Sequence, residues 1–221
     1  MSVDVAKSPV ASPLSTLRRF VNPPPREKPG EVCEMCSAPI PDAHSHVVNV
    51  ETRSLVCSCR GCYLLFTREG AAQGKYRAVP DRYLYDPSFR LNETDWDEFQ
   101  IPVRIAFFFF NSSMGRVAAF YPSPAGATES LLPLDAWRKL STTNPILGEI
   151  APDVEALLVY GRNREGFDCF IVPIDACYEL TGLIRRRWKG FDGGEEAWRD
   201  VDDFFERARS RSKRPKGNAA S

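Results

Sequence analysis

The sequence has no excess of charge, no long hydrophobic run and almost no histidine, and each lack removes a class of function. Lysine plus arginine and aspartate plus glutamate both number 29, so no whole-molecule field draws the protein to nucleic acid or to an anionic membrane. The longest apolar run, Ile105 to Phe110, falls far short of the roughly 20 apolar residues a membrane helix needs, and no membrane insertion is expected. The opening MSVDVAKSPVASPLSTL lacks the apolar stretch of about 7–15 residues that marks a secretory signal, which leads to the expectation of a cytoplasmic protein. Only two histidines occur, and no Ser-His-Asp, Cys-His or GxxxxGK[ST] pattern accompanies them. Acid–base catalysis and phosphate chemistry are therefore poorly supplied, and a non-enzymatic protein is expected.

What the sequence does have is cysteine in a cluster. Five of its seven cysteines lie between Cys33 and Cys62, and in a reducing compartment such a cluster reads as metal ligands rather than disulfides. Cys33-Glu-Met-Cys36 and Cys59-Arg-Gly-Cys62 are two C-x-x-C turns, a spacing that lets both sulfurs of a turn face one point. Between them His46, Val48 and Val50 alternate with Val47, Asn49 and Glu51, and Arg53 to Val56 runs back, which predicts a hairpin flanked by two cysteine turns. Four thiolates at about 2.3 Å suit zinc and equally a single iron, since both accept tetrahedral sulfur. Cys33, Cys36, Cys59 and Cys62 are the expected ligands. Cys57 is the alternative to Cys59, because the two share a face of an extended strand, and His44 or His46 could take a position if a cysteine is left out. A segment this short and this poor in large apolar residues needs a staple to fold, and a bound ion supplies one.

The remainder reads as a core-forming unit. Val103 to Phe110 is apolar on both faces and is followed by NSSMG and a return over Arg116 to Tyr121, a hairpin at the centre of a sheet. A second hairpin joins Val154–Tyr160 to Phe167–Val172 around GRNREG. PLDAWRKL suits a helix with proline near its first turn. Cys177, Leu180, Ile184 and Trp188 mark another, with Asp175 as a candidate cap and Gly190 as a stop. A last helix is expected from about Gly194 to Arg207, with Trp198, Val201, Phe204 and Phe205 on its apolar stripe. The small polar loop Ser123–Ser130 reads as a turn, and Cys169 and Cys177 as core residues. Strand pairs without a βαβ rhythm predict an α+β protein, a small four-cysteine metal ribbon followed by an antiparallel sheet covered by helices. The expected organisation is a disordered or loosely docked, proline-broken arm over residues 1–30, the ribbon over 31–68, the α+β domain over 75–207 and a basic disordered tail over 208–221.

The motifs CEMC, LVCSCRGCYLLF, KYRAVPDRYL, AFFFFNSSMGRVAAFYPSPAGATES and PIDACYELTGLIRRRWKGFDGGEEAW resemble an uncharacterised bacterial family encoded near oxygen-tolerant, high-affinity [NiFe]-hydrogenases. That resemblance runs from Cys33 to about Phe205 and implies a protein partner, a [NiFe]-hydrogenase or its maturation proteins. The ribbon is also broadly similar to rubredoxins, where two C-x-x-C turns hold iron for electron transfer. Rubredoxin turns usually carry glycine after the second cysteine, and this chain has Ser37 and Tyr63 there. Zinc in an accessory protein that works by docking is the expectation, with a rubredoxin-like iron electron carrier as the alternative.

Overall fold

The structure is a computed structural model and describes residues 30–162, 166–189 and 194–215. Two antiparallel sheets organise it. The smaller is ordered β2-β1-β3, from β1 (Ser45–Asn49), β2 (Ser54–Ser58) and β3 (Tyr76–Ala78). The larger is ordered β4-β9-β8-β5-β6-β7, from β4 (Leu84–Tyr85), β5 (Ile105–Asn111), β6 (Arg116–Ser123), β7 (Gly126–Ser130), β8 (Glu155–Tyr160) and β9 (Asp168–Pro173). Every strand pairing among the described residues is antiparallel. Five α-helices accompany these strands among the described residues: α1 (Arg60–Leu65), α2 (Glu93–Glu98), α3 (Leu134–Thr143), α4 (Ile174–Arg187) and α5 (Gly194–Arg211). The α+β class with a cysteine cluster near its start is what the sequence led one to expect.

Because successive side chains of a strand point to opposite faces, the two-sided apolar run of β5 feeds two cores. Ile105, Phe107 and Phe109 pack with Leu180 and Ile184 of α4 and with Phe204 and Phe205 of α5. Ala106 and Phe108 pack with Trp96 of α2 and with Ala136 and Leu140 of α3. The large sheet is thus covered on both faces. The ribbon shares the first core, since Val48 and Val79 are buried in the same cluster as Phe107.

Several expectations are corrected. Asp175 does not cap α4. Pro173 precedes the first turn without a side-chain cap, and Asp175 instead accepts from His46 Nδ1 at 2.9 Å. Gly190 lies outside the described residues. Trp198 is 37% exposed and meets Trp188 edge-on at 5.8 Å, so the buried stripe of α5 is Ala197, Val201, Phe204, Phe205 and Ala208. The basic tail is not disordered over its first part, as α5 runs to Arg211. There Arg209 pairs with Asp168 at 2.6 Å and lies over Tyr85, while Arg211 pairs with Asp81 at 2.6 Å and lies over Tyr83. Cations over aromatic rings and beside carboxylates hold that segment down. Lys213 then exchanges backbone hydrogen bonds with Tyr83 and Tyr85. Residues 1–29, the arm, and 216–221, the end of the tail, lie outside the described residues. Tyr76–Ala78 belongs to the ribbon's sheet, not to the larger one. The loop after Ser123 is a hairpin turn in which Ser123 pairs with Gly126.

Candidate metal centre

The first cysteine pair sits in a tight turn. Val32 bridges Pro39, Cys33 N–H donates to Ala38 O and Ser37 N–H donates to Cys33 O, both at 2.8 Å. Ser37 has φ 61°, the left-handed conformation that glycine usually supplies. The turn therefore keeps the path a glycine would give it, with serine in that place.

The second pair is built differently. β2 ends at Ser58, which is buried and donates its hydroxyl to Ser45 O at 2.9 Å. The chain then enters α1 instead of a second turn, with Cys59 as the N-cap residue and its Sγ accepting from Cys62 N–H at 3.4 Å. A side chain that accepts from the third helical N–H is the ordinary device for starting a helix, here performed by sulfur. Tyr63 fixes the helix by donating its hydroxyl to Val79 O at 3.1 Å. The departure from rubredoxin at Tyr63 thus has a local cause, since a helical residue follows Cys62.

Glu34 clamps the two segments together. Its N–H donates to Cys57 O at 2.9 Å, and its carboxylate accepts from Cys57 N–H at 2.6 Å. As a result Cys33, Cys36, Cys59 and Cys62 offer four sulfurs all within 4.8 Å of one another. Cys36 and Cys59 Sγ are 3.7 Å apart. A regular tetrahedron with metal–sulfur bonds of about 2.3 Å has an edge of about 3.8 Å, so this pair already stands at ligand separation. Cys33 is fully buried and Cys36 exposed, with Cys59 and Cys62 between. The donor set fits a tetrahedral thiophilic ion, and the fit is the same for zinc and for iron.

The thiols' acidities express the same crowding. Burial pushes the Cys33 thiol up, but the N–H groups of Cys59, Met35 and Cys36 outweigh it and hold it at about 6. Contacts with the Cys36 and Cys59 sulfurs push Cys62 up to about 12. Cys59 is lowered, first by the Cys62 N–H. For Cys36 the Ala38 N–H pulls down, yet Cys33 and Cys59 raise it on balance. Four adjacent sulfurs resist ionising together, and a bound dication removes that resistance.

Cys57, His44 and His46 are not brought to these four sulfurs as one set. They form a second group whose donor atoms lie within 4.8 Å of one another. Burial, then Glu34 and Glu31, push the Cys57 thiol up. Cys169 and Cys177 are buried, and burial raises their thiols well above the ordinary value, which makes them inert core residues. Glu34 and Asp175 are the site residues that sequence reasoning missed as such. Their roles depend on contacts 23 and 129 residues distant in the chain.

Among the described residues no helix is long and apolar enough to cross a membrane. No curated protein and no solved structure matches the chain. A family described as a family of unknown function, DUF5947, matches over residues 32–212, a span that takes in both cysteine pairs and both sheets.

Proposed function

We propose that this chain, which belongs to the DUF5947 family, is a non-enzymatic metal-binding accessory protein that works by docking a protein partner. The observation that carries the reading is the sulfur quartet, gathered from two segments and already at tetrahedral separation between Cys36 and Cys59. One zinc ion held by Cys33, Cys36, Cys59 and Cys62 would lock the first turn to the start of α1. Four protein sulfurs leave no open position, the usual form of a structural zinc site. Close to the ligand cysteines in sequence, Val32, Leu64 and Leu65 are 50%, 51% and 67% exposed, and exposed apolar side chains of this size suit a partner surface. The resemblance of its motifs to a family encoded near [NiFe]-hydrogenases favours a hydrogenase or one of its maturation proteins as that partner, in a reducing, cytoplasmic setting that keeps the thiols free.

The exposure of Cys36 favours a second reading, a rubredoxin-like iron electron carrier, because a sulfur ligand at the surface is where an electron would pass. Metal analysis of protein produced in zinc-rich and in iron-rich media separates the two. Colourless protein with zinc in the quartet supports the accessory reading. Iron retained from both media, with red colour and thiolate-to-iron absorption that Cys36→Ser removes, supports the carrier. Retention of every metal by the Cys33→Ser/Cys59→Ser double variant would overturn both. For docking, Leu64→Asp/Leu65→Asp should abolish co-purification with a hydrogenase component and leave metal content unchanged.

A further inference from the structure

The second cluster lies on the ribbon's own hairpin. His46 and Cys57 face each other across the β1–β2 ladder, and His44, two residues before His46, falls on the same side. One donor atom from each of His44, His46 and Cys57 lies within 4.8 Å of the other two. The two imidazoles are 4.6 Å apart between centroids and tilted by 54°.

Hydrogen bonds decide which ring atoms are left over. His44 Nδ1 meets the Pro41 carbonyl at 2.9 Å and Glu31 Oε2 at 3.3 Å. A carbonyl only accepts, so Nδ1 carries the proton and the neutral ring's lone pair is on Nε2. That Nε2 is buried with no hydrogen-bond partner, in a side chain only 7% exposed. His46 Nδ1 meets Asp175 Oδ2 at 2.9 Å, and the same argument leaves its lone pair on Nε2. A carbonyl or carboxylate on the far nitrogen is what orients a metal-bound histidine and raises its basicity. A buried acceptor without a donor is otherwise unfavourable, and natural interiors keep few of them.

We propose that His44 Nε2, His46 Nε2 and Cys57 Sγ form a second site for a divalent transition cation of the zinc type, separate from the four-cysteine centre. Two imidazoles and one thiolate are a borderline-soft donor set that suits such a cation. Three donors leave a fourth position. Both imidazoles line a cleft of 860 Å³ between the ribbon and α4, with Arg60, Tyr63 and Arg186 also on its walls, and a water molecule from that cleft completes the coordination. The site therefore has the open form of zinc centres that exchange a ligand, where the quartet has the closed form. It stands whether or not the quartet binds as read above.

The chain contains only two histidines, so in untagged full-length protein every imidazole signal reports on this site. Protein labelled with 15N-histidine is stripped with chelator under reducing conditions and titrated with zinc, following the ring nitrogens by long-range 1H–15N correlation. The expected result is two equivalents bound, with both Nε2 resonances moving as one of them is added and both rings staying Nδ1–H. Cys57→Ser should lose that equivalent and the Nε2 shifts, while Cys36→Ser keeps them. Asp175→Asn should weaken this equivalent alone, by about 10–100-fold. Nε2 resonances unmoved in excess zinc overturn the proposal, as does Cys57→Ser and Cys36→Ser removing the same ion. The wild-type titration decides by itself if a variant fails to fold, and loss of the quartet's ion alone bears only on the earlier reading.

Discussion

Zinc binding by the four-cysteine centre should depend on pH less steeply than four independent thiols would require. Thiols bind metal as thiolates, so binding releases the protons they carry. Four ordinary thiols, with a value of 9.0, are protonated at pH 7 and would release about four protons, a change of about 10,000-fold in affinity per pH unit. In the folded protein Cys33 stands at about 6 and is therefore about nine-tenths ionised at pH 7 before any metal arrives. Cys62, at about 12, and the raised Cys36 each surrender a whole proton. Cys59, lowered by the Cys62 N–H, surrenders at most one. The count is between about two and about three protons, or about 100- to 1,000-fold in affinity per pH unit. The sign follows because the free site holds more protons than the bound one, so affinity rises with pH and falls as pH drops. Below about pH 6 Cys33 is protonated as well, and the dependence steepens by up to one further proton. The Cys57→Ser variant isolates this centre. Competition with a chromophoric chelator gives the pH dependence, and calorimetry in two buffers of different ionisation heat gives the proton count at pH 7. Release of four protons would refute the claim that the turn's N–H groups stabilise a Cys33 thiolate, and release of fewer than two would refute the crowding that holds Cys36 and Cys62 protonated.

Cys59→Ala should lose the quartet's ion and also weaken the start of α1, since the sulfur both belongs to the quartet and accepts from Cys62 N–H and alanine cannot cap a helix; Cys57→Ser should retain that ion, and metal analysis of the two variants side by side, with thermal unfolding of the first, checks both. Phe108→Ala should cost about 3–5 kcal/mol in urea unfolding, because Phe108 is fully buried between Phe99 at 5.2 Å and Trp137 at 5.7 Å. Gly161→Ala should cost about 1–3 kcal/mol by overpacking, as an added Cβ would stand 2.7 Å from the Phe167 ring and 2.9 Å from Arg104 Nε; an unchanged thermal midpoint would contradict it.

The first cysteine turn, the spacing of both cysteine pairs and the paired hairpins were legible because their signals are local. A two-residue spacing and period-2 alternation depend on nothing beyond a few neighbours. The helix after Cys59 was not legible, since α1 buries no residue and so carries no apolar stripe to detect. That omission also explains the ambiguity between Cys57 and Cys59. On one continuous strand both thiols share a face, but β2 stops at Ser58 and Cys59 belongs to a helix cap, so the two part company. α2 went unread, although its cap is local: in the structure Asn92 and Asp95, three residues on, cap each other reciprocally. The His46–Asp175 contact spans 129 residues, and no pattern within either segment encodes it. The basic residues after Arg207 read as a disordered tail by composition, and it takes the distant partners of Arg209 and Arg211, Tyr85 with Asp168 and Tyr83 with Asp81, to show otherwise for that part of it.

Only residues 79–83 separate β3 from β4, and both ends of that connector, Val79 and Tyr83, are sunk in the interior that α4 and α5 cover. The cysteine-bearing part is consequently a limb without a joint. A fragment ending at Arg68 would be cut off from its third strand and from the wall against which Val48 rests, so it should be produced as insoluble or unstructured peptide. In the intact molecule, whatever grips or releases an ion at the sulfurs pulls on the same beam that supports the large sheet.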